Sequence, residues 1–235
     1  MSIALVASAS PRTDAAVLRA AWIALLSRTE LSVILCASHE EPSSHDVGSV
    51  RRSLRDARRW LARVAPQAEV EIRIGATAAV AAHAARDRPA ALLIVSAQDL
   101  PAPAAAIAIA REARVPVLVA RRATSRPVVL AVVEHEDCDG EQVIAVASWL
   151  ARATDAELHV VLVGVRDPAE RPDVVLHRIP TVGDRTVGVL ALADALDTDV
   201  LVVRAPTPSR WVFRARSLAS RVLDDASMSV VVVPE

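Results

Sequence analysis

Residues Trp22 to Leu35 (WIALLSRTELSVIL) and Trp149 to Leu162 (WLARATDAELHVVL) are two versions of one segment, 127 positions apart in a chain of 235 residues. The same offset carries Leu5 onto Val132, Glu30 onto Glu157 and Leu31 onto Leu158 without a gap. Each copy of so long a repeat must bury its own core, so the chain is expected to fold as two domains on one plan. Further along, Gly75 falls on Gly183 and Val95 on Val203 at an offset of 108, so the second copy has lost 19 residues between these landmarks. The expected boundaries are residues 1–122 for a complete first domain and 127–235 for a shortened second one.

Within the first copy, short aliphatic runs alternate with longer helical patterns, the signature of a parallel sheet covered by helices. Strands are expected near Ile3–Ala7, Leu31–Ala37, Glu69–Ile74, Ala91–Ser96 and Val115–Ala120, with helices between. Val47, Val50, Leu54, Ala57, Leu61 and Val64 recur at steps of three and four, which places them on one helix face. The opposite face carries Arg51, Arg52, Arg55, Arg58, Arg59 and Arg63 and is read as a solvated face, with arginines favourable towards the helix C-terminus. The loss in the second copy falls where this helix belongs. Between the strand Leu158–Val165 and the apolar segment Val174–Ile179 stand only eight polar residues, Arg166–Asp173. A parallel crossover usually takes a dozen or more, so the segment is expected to run antiparallel or to form an irregular edge. One sheet face would then need cover from the other domain or from a partner chain. Trp22 and Trp149, at matching places on the first helix of each copy, are expected in the core between helix and sheet.

Composition removes several function classes. Lys+Arg 27 against Asp+Glu 28 leaves a net charge of -1, without the basic excess of a phosphate-backbone binder, so no nucleic-acid partner is expected. Every basic residue is arginine, which excludes Schiff-base and phosphate-loop lysines together. At 2% aromatic residues the chain has little with which to stack bases or sugars. No apolar run reaches the roughly 18 residues of a membrane span, and Cys36 and Cys138 lie far apart, so a membrane-free, reducing, cytoplasmic setting is expected. Glu134, His135, Glu136, Asp137, Cys138 and Asp139 invite a metal reading, but contiguous ligands converge poorly on one ion and no second cluster complements them. Acids at a helix entry, with Asp139 as cap, explain them without a metal. His83, His159, His39, His45 and His177 have no Ser or Cys partner in a recognisable motif, and no Gly-x-Ser-x-Gly elbow exists, so no nucleophilic enzyme is expected.

The order of elements, doubled in one chain, resembles a tandem universal stress protein. Ala156–Val163 (AELHVVLV), Gly183–Val203 (GDRTVGVLALADALDTDVLVV) and Arg216–Val233 (RSLASRVLDDASMSVVVV) are similar to that family's second strand, its third helix with fourth strand, and its last helix and strand. The resemblance implies an α/β fold of two open, doubly wound parallel sheets of order 3-2-1-4-5. It also implies pairing through the last strands, here expected between the two domains of one chain, and a homodimer is expected in addition. In ATP-binding members an Asp closes the first strand and a glycine-rich stretch follows the fourth, because glycines let backbone N–H groups approach phosphates closely. This chain departs from that pattern. Ser8 stands at the Asp position of the first domain, and Ser96–Ala106 (SAQDLPAPAAA) has no glycine. In the second domain Glu134 replaces the Asp, the glycine positions fall near Arg204, Thr207 and Arg216, and only Ser217 survives.

Ligands of such sheets bind beyond the carboxyl ends of the strands where strand order reverses. There, Glu134–Asp139 would meet Arg204, Arg210, Arg214 and Arg216 around Trp211. Two arrangements are open. Glu134 contacts the base or ribose of ATP or AMP while Arg204 and Arg216 neutralise its phosphates, with His135 and Ser217 as further candidate ligand residues, or the loops salt-bridge each other and close the crevice. Four carboxylates beside a phosphate site favour the second. The expected function is a non-catalytic stress-response or regulatory protein with degenerate nucleotide sites, without catalytic residues, metal or required cofactor. The alternative is an adenine-nucleotide sensor or slow hydrolase using the second crevice.

Overall fold

A computed structural model of the chain describes residues 2–8, 14–37, 46–87, 90–102, 104–121, 127–134, 140–164, 174–179, 183–206 and 217–235. His39, His45, His135, Glu136, Asp137, Cys138, Asp139, Thr207, Arg210, Trp211, Arg214 and Arg216 lie outside the described residues. The chain divides into two compact units, Met1–Arg121 and Arg122–Glu235.

The first unit runs β1 (Ser2–Ser8), α1 (Asp14–Ser27), β2 (Glu30–Ala37), α2 (Asp46–Val64), β3 (Glu69–Ile74), α3 (Thr77–Asp87), β4 (Leu92–Ser96), a 3-10 turn (Ala97–Asp99), α4 (Ala104–Ala113) and β5 (Val117–Ala120). Its strands lie in the order β3-β2-β1-β4-β5, every pair parallel. The aliphatic runs predict this, since a central strand of a parallel sheet is covered on both faces. Ile3–Ala7 and all of β4 and β5 are buried. Each such Leu or Ile side chain contributes about 1.5–3 kcal/mol by leaving water. On the edge strand β3 the charged Arg73 is held by Glu71 (2.8 Å) and by Asp87 of α3 (2.7 Å), so it discourages pairing with another chain.

The second unit runs β6 (Val128–Glu134), α5 (Gly140–Thr154), β7 (Glu157–Val163), β8 (Val175–Ile179), α6 (Arg185–Ala195), β9 (Val200–Arg204), α7 (Leu218–Asp225) and β10 (Ser229–Val233). Its order β8-β7-β6-β9-β10 is again parallel throughout. The repeat is visible down to hydrogen bonds. Arg28 after α1 and Asp155 after α5 both take positive φ, and the next amides donate to carbonyls five residues back, Thr29 to Ala24 and Ala156 to Ala151. These are matching left-handed helix ends.

Two expectations fail. The segment expected to run antiparallel or irregular is instead the parallel edge strand β8, with His159 opposite Val175 and Val163 opposite Ile179. The link of residues 164–174 spans up to about 36 Å when extended, twice the rise of a five-residue strand, so the chain can return to the starting end of the sheet without a helix. Trp22 is not core: it is 38% exposed, and Leu25 is 75% exposed beside it. The inner face of α1 is filled by Ala16, Val17, Ala20, Ile23 and Ala24, small enough to bring the helix close to the sheet and leave the larger side chains outside. Trp149 is half-buried.

Candidate functional site

In each sheet the order reverses between the first and fourth strands, so the crevices to inspect are the carboxyl ends of β1 and β4, and of β6 and β9. In the first unit β4 ends at Ser96, whose Oγ accepts from the Gln98 amide (3.3 Å) and so caps a single 3-10 turn. That turn points the carboxylate of Asp99 back at the end of β1. The Ser8 amide donates to Asp99 Oδ2 at 2.9 Å, and the Ser8 hydroxyl donates to Asp99 Oδ1 at 2.6 Å. The switch point is thus occupied by an anion belonging to the chain itself. Asp99 was not singled out by sequence reasoning; its only signal was an acid in a stretch where the resemblance implies glycines.

The neighbouring strands add no cation free for a ligand. Cys36 lies beside Ser8 in register and Arg73 beside Cys36. Burial pushes the Cys36 thiol up to about 12, against a hydrogen bond with Thr77 that lowers it; Asp99 adds to the rise and Arg73 opposes it. Such a thiol stays protonated and is a poor nucleophile. Arg73 is held protonated by its hydrogen bonds to Glu71 and Asp87, which occupy the forks a phosphate would use.

In the second unit a cleft of about 440 Å³ is lined by Glu134, Gly183, Asp184, Arg185, Thr186, Leu218 and Arg221. Glu134 stands exposed at the end of β6, as expected. Asp184 caps α6: Oδ1 accepts from the Thr186 amide at 3.0 Å, and Oδ2 accepts from Arg221 Nη2. The Arg221 guanidinium, ahead of the Thr186 amide, holds the Asp184 carboxyl below its usual range. Ser217 caps α7, its Oγ accepting from the Ser220 amide at 3.2 Å. Arg204 ends β9, half-buried and engaged with other groups, and it does not line the cleft. The structure therefore brings Glu134 into one cleft with Asp184 and Arg221, beside Ser217, and leaves Arg204 outside it. Two acids and two arginines line the cleft, so it presents balanced charge rather than an anion-attracting field.

A larger groove of about 670 Å³ lies at the opposite, amino-terminal end of the first sheet, between Leu18, Trp22 and Leu25 of α1 and residues 64–68 after α2. Among the described residues no group of three or more His, Cys, Asp or Glu is arranged to hold a metal ion, and no helix is long and apolar enough to cross a membrane.

No family model matches the chain, and no curated protein matches it. Solved structures do. A universal stress protein from Archaeoglobus fulgidus DSM 4304 is 12% identical, with TM-score 0.72, covering 99% of this chain and 96% of its own. A functionally unknown protein from Pseudomonas aeruginosa PAO1 is 18% identical, with TM-score 0.66, covering 99% and 92%. At these identities the likeness is one of fold: the chain has the open, parallel α/β architecture seen in universal stress proteins.

Proposed function

We propose that this chain is a non-catalytic stress-response or regulatory protein whose nucleotide crevices are degenerate, the first more completely than the second. The observation that carries the reading is the Asp99 carboxylate bound by both the amide and the hydroxyl of Ser8. A phosphate brought to that point meets a like charge and must displace two hydrogen bonds, with no glycine between residues 96 and 106 to offer replacements. Titration of the full chain with ATP, ADP and AMP tests it. Protection of β1 and β4 from hydrogen exchange should not change, and micromolar binding that protects these strands would overturn the reading.

A second reading is favoured by the cleft in the second unit. There Arg221 and Arg185 line one cleft with Glu134, beside the Ser217-capped start of α7, an arrangement able to take an adenine nucleotide with Glu134 towards the base or ribose. His135 and Arg216, which lie outside the described residues, belong to the same proposal; Arg204, which does not line the cleft, does not. A nucleotide must first draw Arg221 away from Asp184. Protection of α6 and α7 by ATP or AMP, lost in Arg221→Ala and Arg216→Ala, would establish this alternative; unchanged heat stability with millimolar nucleotide would end it.

A further inference from the structure

On the second sheet, two imidazoles meet. His159 Nδ1 lies 2.8 Å from His177 Nε2, with ring planes 14° apart and centroids 5.1 Å apart. Nearly coplanar rings at that separation, with nitrogens in hydrogen-bond contact, are joined edge to edge by an N–H···N bond rather than stacked face to face. The other nitrogen of His159, Nε2, lies 3.1 Å from Glu157 Oε1. A carboxylate accepts only, so the Nε2 proton belongs to His159; while that ring is neutral its Nδ1 is the bare acceptor and His177 Nε2 donates to it. The bond therefore requires at least one neutral ring, since a protonated His159 can still donate from Nδ1 to a bare His177 Nε2. Protonating both rings would place an N–H on each side of a 2.8 Å contact and destroy the bond.

The bond joins β7 to the edge strand β8, which has no outer neighbour among the described residues and exposes Val175 and Leu176. We propose that His159 and His177 form a proton-sensitive latch that holds β8 in the second unit near neutral pH and releases it on acidification. The groups around the pair are few. On β7 it is faced by Glu157. Helix α6 packs on the same sheet face, since a Cβ on Gly188 would stand 3.1 Å from Ile179, which shares the face of His177. The charged groups of α6 are Arg185 and Asp194, with Asp184 as its cap, and none bonds to either imidazole. Arg178 on β8 falls on the other face by alternation. Burial first, and then His159, hold the His177 pKa below its ordinary value. The sign follows. A base whose folded pKa is depressed takes up its proton more readily once the strand opens, so the stabilisation is complete above the free value of about 6.5 and is lost as pH falls through the folded value. Two imidazoles alone do not make a metal site, and no third ligand joins them among the described residues. The latch does not depend on whether any nucleotide binds.

Hydrogen exchange of the intact chain, read by mass spectrometry from pH 7.5 to pH 5 and corrected for intrinsic rates, tests it. Protection of residues 174–179 should fall by about tenfold per pH unit below pH ~6.5, the response of one linked proton, while β10 keeps its protection. In His177→Gln the amide still donates to His159 but does not titrate, so the acid response should vanish. Loss at β8 no steeper than at β10, or an unchanged response in His177→Gln, would overturn the latch. Should that variant fail to fold, nitrogen-15 spectra of the wild-type imidazoles decide: independent protonation of the two rings overturns it, and a proton shared between them with one ring neutral supports it.

Discussion

Replacing Asp99 by Ala removes the acceptor for both the Ser8 amide and the Ser8 hydroxyl. A hydrogen bond to a charged group contributes roughly 1.5–3 kcal/mol, and because both residues are only half-buried, water replaces part of each, so the pair should cost about 2–3 kcal/mol in all. Asp99→Asn keeps one carbonyl acceptor without the charge and should cost about half as much. Ser8→Ala leaves the amide bond intact and should cost about 1 kcal/mol, with a coupling of similar size in the double variant. Urea unfolding of the full chain at pH 7, with hydrogen exchange of β1 and β4 to assign the loss to the first unit, measures all four. A loss under about 0.5 kcal/mol for Asp99→Ala, or Asn as harmful as Ala, would refute the view that this carboxylate holds the switch point together. The variant should still bind no ATP, because removing an anion does not supply the missing backbone cradle.

Gly140→Ala, at the start of α5, places a Cβ 2.8 Å from Cγ1 of the stiff, buried Val133, so the usual helix gain should reverse into a loss of about 1 kcal/mol in urea unfolding. Leu130→Ala, at a fully buried position of β6, should cost about 2–5 kcal/mol, and a loss near zero would mean that the core of the second unit is not where the structure puts it. Cys36, buried and with its thiol pushed up to about 12, should resist iodoacetamide at pH 8 in the native chain and react after denaturation, as peptide mapping would show. The Asp184 carboxyl, lowered by Arg221, favours the fold above its free pKa and loses that contribution as pH falls through its folded value; in Arg221→Ala, carbon-13 titration should find it back near the ordinary carboxylate range.

The alternation of aliphatic runs with helical patterns, and the repeat of Trp22–Leu35 in Trp149–Leu162, determined by themselves the α/β class and a doubled plan, because burial on both faces of a parallel sheet leaves its mark residue by residue. The absence of glycine from residues 96–106 was equally plain in the amino acids. Tertiary structure alone decided what fills the gap. Ser8 and Asp99 are 91 positions apart, Asp184 and Arg221 are 37 apart, and His159 and His177 are 18 apart. Such pairs depend on strand register and on which way a crossover returns, and neither is written in a local pattern. The direction of β8 shows the same limit: its residues suit either orientation, and the reach of its connection permitted the parallel one. For α1, apolar on both sides, periodicity had no polar face to orient by, so only the packed helix showed that Trp22 and Leu25 face outward.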